Sequence, residues 1–192
     1  IDLNSDGLLD ILCTAYGPNR LLWCQNMGAV GFGPATLIEQ TVVPAPFVLS
    51  DMDGDGNKDI VYRTYIPDSV YWKKNTGLAS FSAASTLYPS HGSPVSTYDI
   101  NSDGLQDLLL VGDSNVTVAR NLGGASFDPN PIYTIPSEKI AKQFGDYDWC
   151  ADLDNDGDLE LVFSFLRENG RRKILTISHN YSGTMAKGHV FV

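Results

Sequence analysis

The chain has 192 residues, 43% of them hydrophobic, with 18 Gly and 10 Pro, which is enough apolar material for one ordinary domain with a core and too much for a disordered segment. A formal net charge of −10 leaves no basic stripe to neutralise phosphates, which excludes a nucleic-acid binder. No apolar run of about 18 residues is present to cross a bilayer, and Ile1-Asp2-Leu3-Asn4 has neither the positive flank nor the apolar core of a targeting signal, so no membrane insertion is expected.

The first element is an acidic loop, Asp2-Leu3-Asn4-Ser5-Asp6-Gly7-Leu8-Leu9-Asp10, followed by predicted strands at 11–15 and 20–25 and then by Asn26-Met27-Gly28 with Phe32. The same order returns. A strand is predicted at 47–50, then the loop Asp51-Met52-Asp53-Gly54-Asp55-Gly56-Asn57-Lys58-Asp59, then strands at 59–65, 70–74 and 84–88, with Asn75-Thr76-Gly77 and Phe81 between the last two. The third unit has the loop from Asp99 through Asn101, Asp103 and Leu105 to Asp107, strands at 108–111 and 116–120, and Asn121-Leu122-Gly123 with Phe127. After a stretch from 128 to 145 that breaks the pattern and reads as a surface insertion, with one helical turn at 137–144, comes the fourth loop, Asp152, Asp154, Asp156, Asp158 and Glu160. Strands at 161–166 and 173–178 then flank Glu168-Asn169-Gly170, whose Asn-Gly pair signals a hairpin. Asn180 keeps the second landmark, but Ala186 stands where the Phe belongs.

The four loops start at 2, 51, 99 and 152, and each unit has room for four short strands. A period near 50 residues, with four strands per period and no sustained helical periodicity, predicts an all-β fold of β-propeller blades, each made of four antiparallel strands. The blades are placed at 1–45, 46–93, 94–145 and 146–192, about four in all, as part of a larger ring. The remaining blades would come from the same longer chain or from another copy. The alternative is self-closure, with Val190-Phe191-Val192 serving as the inner strand of the first blade.

The repeated pattern Asp-x-Asx-x-Asp-Gly-x-x-Asp/Glu offers side-chain oxygens at positions 1, 3, 5 and 9, and position 7 is expected to add a backbone carbonyl. These ligands are Asp2, Asn4, Asp6, Leu8 and Asp10; Asp51, Asp53, Asp55, Asn57 and Asp59; Asp99, Asn101, Asp103, Leu105 and Asp107; and Asp152, Asp154, Asp156, Asp158 and Glu160. Such crowded hard oxygens on a tight loop suit Ca²⁺, one ion per loop. Magnesium dehydrates too reluctantly for an all-protein cage, and no His or Cys recurs with the loops to suit zinc. A helix-flanked calcium hand would need Glu at position 12, where Cys13, Tyr62, Leu110 and Phe163 stand. The side-chain ligand positions hold 14 of the 23 acids, so the acidity belongs to the metal sites and not to a solvated face. With four acids against three, the second and fourth sites are expected to be tighter than the first and third.

The loops, the apolar strand after each and the Asn-x-Gly-x-x-x-Phe spacing resemble the FG-GAP/VCBS-type repeat family of integrin α-subunit propellers, calcium-containing mushroom lectins and many secreted proteins. Phe32-Gly33 keeps the Phe-Gly pair of that family, while Phe81-Ser82 and Phe127-Asp128 depart from it. The resemblance implies an extracellular propeller with structural calcium; it transfers no ligand site. The expected function is non-catalytic adhesion or recognition of a glycan or an extracellular protein. Alternatives are the propeller portion of a secreted polysaccharide-degrading enzyme and an architectural role in a filament or coat.

Other residues read as structural. Trp23 and Trp72 share a repeat position with Val118 and Ile177, which marks packing and not sugar stacking, and Trp149 reads likewise. His91, His179 and His189 share no repeat position, and no Gly-x-Ser-x-Gly elbow or phosphate-cradling loop occurs. The cluster Arg167, Arg171, Arg172 and Lys173 flanks a hairpin tip and reads as a solvated turn. Asn115 and Asn180 head N-glycosylation patterns, Asn115 being the better placed. Cys13 and Cys24 flank the turn at 17–20 symmetrically, so they are expected to face each other at a separation that permits a disulfide, to form if the protein is secreted, leaving Cys150 as a thiol.

Overall fold

The computed structural model describes residues 1–15, 17–40, 47–65, 67–89, 92–112, 115–124, 126–128, 133–136, 150–151, 155, 160–166, 172–177 and 190–191. They form fifteen strands in four separate antiparallel sheets. The first holds β1 (Ile11–Ala15), β2 (Arg20–Cys24) and β3 (Thr36–Gln40) in that order. The second runs β4 (Phe47–Ser50), β5 (Asp59–Tyr65), β6 (Asp68–Lys73) and β7 (Ser85–Pro89). The third runs β8 (Ser93–Tyr98), β9 (Asp107–Val111), β10 (Asn115–Ala119) and β11 (Tyr133–Pro136). The fourth runs β12 (Cys150–Ala151), β13 (Glu160–Leu166), β14 (Arg172–Ile177) and β15 (Val190–Phe191).

Consecutive strands pair in every sheet, as up-and-down propeller blades require. In the second and third blades the acidic loop joins the first strand to the second, and in the first blade it leads into β1. β4 touches β8, so the first strands of neighbouring blades lie together, as innermost strands do. Phe191 pairs with Ile174, which makes β15 the outer strand of the fourth blade. The self-closure alternative fails on that register, because the segment joins β14 and not β1.

The core lies between blades. Met52, Val61, Val70, Leu108, Leu110 and Ala119 join the second blade to the third, while Leu21, Ile60 and Tyr62 join the first to the second. A sheet covered on both faces needs apolar residues in succession, not in alternation, and β9 has all five residues buried. The first blade shows the contrast. Ile11 is 43% exposed, while its repeat equivalents Ile60 and Leu108 are each fully buried. Leu9 and Phe32 are exposed on the same blade.

The repeat Asn is the joint between blades. The side-chain amide of Asn75 donates to Lys58 O in its own blade at 3.2 Å and to Leu3 O in the preceding blade at 3.0 Å. Asn121 repeats this with Gln106 O at 3.1 Å and Met52 O at 2.9 Å. Its Oδ1 meanwhile accepts the N–H two residues on, from Gly123, at 3.0 Å. Asn26 keeps the bond to its own blade, to Leu9 O at 2.9 Å, and among the described residues shows no donation to another blade. Both amide hydrogens of a buried Asn are therefore spent where blades meet, and removing them strands one buried carbonyl and one part-buried carbonyl. Asn121→Ala should cost about 2–4 kcal/mol, since a stranded buried partner costs about 1–3 kcal/mol. Asn26→Ala, half-buried and with one fewer acceptor, should cost less than half as much. Urea unfolding of the two variants reads this directly, and equal midpoints would dissolve the joint.

Most predicted strands fall within two residues of those observed, while the cysteine pairing is corrected. Ala15 pairs with Arg20, so Cys13 faces Leu22 and Cys24 faces Ile11. The turn is centred one residue earlier than the symmetric reading, which puts the two sulfurs on a diagonal. Diagonal neighbours are about 7–8 Å apart in Cα, beyond the usual disulfide span, and both cysteines are free. Native protein should titrate Cys13 and Cys24 as two alkylatable thiols under non-reducing conditions; protection of both would restore the bridge. Asn115 opens β10 and does not sit in a turn. The readings on 137–144, Trp149, Asn169, Asn180 and the three histidines lie outside the described residues, as does the basic cluster apart from the strand positions of Arg172 and Lys173.

Candidate metal centre

Three of the four acidic loops are described fully, and they share one backbone. Position 6 is Gly7, Gly56 and Gly104, with φ of 83°, 89° and 87°, so the sharp turn expected there is present. Position 4 is left-handed as well. Ser5, Gly54, Ser102 and Asn155 have φ between 57° and 79°, a requirement the sequence reading did not draw out. Two left-handed residues wind the loop around the carboxylate of position 1. Asp51 Oδ1 accepts the N–H groups of Gly54 and Asp55 at 2.8 and 3.1 Å, and its Oδ2 accepts that of Gly56 at 2.8 Å. Asp2 and Asp99 accept from positions 5 and 6 in the same way.

Position 9 is the buried member. Asp10, Asp59 and Asp107 are 6%, 0% and 2% exposed. One oxygen of each accepts the N–H of position 2, from Leu3, Met52 and Ile100. The other accepts the N–H of the repeat Asn, each time at 2.8 Å. The carboxylate thus clasps the loop to the turn after the third strand, and the two sequence landmarks turn out to be one device. Burial pushes the Asp59 carboxyl up from its ordinary value, and it pushes Asp107 up to about 6; the N–H groups facing each oppose this.

Position 5 is exposed, and its carboxylate accepts the N–H of position 7, from Leu8, Asn57 and Leu105. At position 3 the loops divide. Asn4 and Asn101 donate their amides to the position-5 carboxylate at 2.9 and 3.0 Å, so the first and third loops close on a neutral group. In the second loop position 3 is Asp53, whose side chain is only 10% exposed. Its Oδ1 is buried and meets no hydrogen-bond donor. Carboxylate oxygens of Asp51, Asp53 and Asp59 lie within 4.8 Å of one another, the one such group among the described residues. A buried, unpaired anionic oxygen on a member of a cluster of like charge is costly unless a cation joins it. The oxygen-only donor set fits calcium, with the free lone pairs of Asp51, Asp53 and Asp59 to hold it. Of the predicted ligands in the fourth loop, 152, 154, 156 and 158 lie outside the described residues, and Glu160 begins β13.

The model of the FG-GAP-like repeat family matches residues 2–62 and 99–163, each match taking in an acidic loop with the strand after it. The chain belongs to the FG-GAP-like repeat family. Two solved structures carry the same fold. A lectin of Agrocybe aegerita, described as specifically recognising non-reducing terminal N-acetylglucosamine, aligns with TM-score 0.59 and 21% identity over 98% of this chain and 50% of its own. A chain of the Photorhabdus luminescens Tc holotoxin pore aligns with TM-score 0.52 and 24% identity over 100% of this chain and 9% of its own. The FG-GAP-like chain therefore spans half the length of one relative and a small part of the other. No curated protein matches it significantly. Among its described residues no helix is long and apolar enough to cross a membrane.

Proposed function

We propose that this chain is a calcium-stabilised, extracellular, non-catalytic propeller module for recognition of a glycan or protein ligand, with a further blade of the same repeat covering its first blade. The observation that supports calcium is the unpaired, buried Asp53 Oδ1 beside Asp51 and Asp59. Recognition of a glycan draws on the likeness to the Agrocybe aegerita lectin, which makes terminal N-acetylglucosamine the first ligand to try. The further blade is supported by Ile11, exposed where Ile60 and Leu108 are covered by the blade before them.

The functional test is a glycan array in calcium and in chelator, followed by turnover assays on any hit. Binding without turnover, lost on chelation, is the expected result. Turnover of a bound polysaccharide would make the module part of an enzyme, and absence of any binding would favour an architectural role.

A further inference from the structure

The residue before the repeat Asn is Gln25, Lys74, Arg120 and His179 in the four units, and nothing in the repeat pattern requires it to be charged. Its neighbours explain the variation. In the second blade the Lys74 ammonium reaches back across the sheet to the acidic loop, forming ion pairs with Asp53 Oδ2 and, at 2.8 Å, with Asp55 Oδ2. In the first blade, where position 3 is Asn4, the neutral Gln25 amide makes the corresponding contact with Asp6 Oδ2 at 3.3 Å. In the third, where position 3 is Asn101, the Arg120 guanidinium faces Asp128 Oδ2 at 3.3 Å. A cation thus meets the loop in the one described blade that carries the extra carboxylate.

The pairing leaves room for the ion. Lys74 holds the Oδ2 atoms of Asp53 and Asp55, while Asp53 Oδ1 is the unpaired buried oxygen of the cluster. A carboxylate can bridge two cations through its two oxygens. We propose that Lys74 is the resident counter-charge of the second loop, sharing Asp53 with the bound ion and cancelling the fourth acid, so that this site binds calcium no more tightly than its Asn-bearing neighbours. The inference rests on the calcium reading above and removes the ranking that a count of acids gives. The four ligand carboxylates of the second loop together with Lys74 sum to −3, the same as the three ligand carboxylates of the first loop and of the third.

The test is a calcium titration of the whole chain with wild-type Lys74, with Lys74→Met and with Lys74→Arg. A unit charge held about 4–5 Å from a divalent ion at a solvent-exposed loop changes affinity by about tenfold. Lys74→Met should tighten one site by about that factor, while Lys74→Arg leaves the isotherm unchanged. In an Asp51→Ala background, which removes the second site, Lys74→Met should have no effect on binding. A melt in chelator gives a second readout, because Lys74→Met leaves the loop carboxylates uncompensated and should melt several degrees below wild type. Calcium binding at wild-type strength in Lys74→Met, with an unchanged chelator melt, would overturn the counter-charge while leaving calcium in place. No calcium binding by any of the proteins would bring down the metal reading and this inference with it.

Discussion

Chelation should lower the melting temperature by tens of degrees or unfold the protein outright. Mass action sets the size of the loss. An ion held at about one hundredth of its ambient concentration stabilises the folded state by about 2.7 kcal/mol per site. Sites binding at about 10 μM in about 1 mM extracellular calcium meet that condition, and four of them contribute on the order of 10 kcal/mol. Total domain stability is about 5–15 kcal/mol, and for a chain of this size each kcal/mol moves the melting temperature by about 2–4 °C. The structure adds the local reason. Asp51, Asp53 and Asp59 bring anionic oxygens within 4.8 Å of one another, with Asp55 beside them and one ammonium to oppose four charges. Coincident melts in calcium and chelator would remove calcium from the account of this fold.

Asp59→Ala should destabilise the calcium-loaded protein by about 2–3 kcal/mol more than Asp55→Ala. On the calcium reading both variants lose one ion site, so the difference isolates the clasp. Asp55 is exposed, and its partners Asn57 N–H and Lys74 can turn to water. Asp59 is fully buried, and its removal strands the N–H groups of Met52 and Asn75. Each such group costs about 1–3 kcal/mol, and relief from burying a charge, which holds this carboxyl above its ordinary value, offsets part of the sum. Urea unfolding in saturating calcium measures the pair. Equal free energies would mean that position 9 serves the ion alone.

The blades were legible because their signals are local. Phe47–Ser50, Asp59–Tyr65 and Ile11–Ala15 are short apolar runs bounded by turn residues, and their ends match the prediction. The acidic loops were visible by repetition alone. The β1–β2 register was not, because Cys13 and Cys24 gave a symmetry that the turn itself does not obey. The reach of Asn75 to Leu3 and of Asn121 to Met52 spans 72 and 69 residues, and no window along the chain contains such a bond. The role of Lys74 lay in the alignment of the units, where it stands opposite Gln25 and Arg120, but only the fold shows which side chain it meets.

The Asn joints make the array continuous. Leu3 O and Met52 O, the acceptors, sit at position 2 of a loop, between two of its ligand positions; the donors Asn75 and Asn121 are gripped through their own N–H by the position-9 carboxylate of the next loop. Each joint is therefore a bond held from both sides, and support runs through it in both directions. A lesion in the third loop should loosen the second by freeing Asn121 from Met52 O, just as a lesion in the first loosens it through Asn75, so the blades resemble links of one chain more than a set of independent spokes.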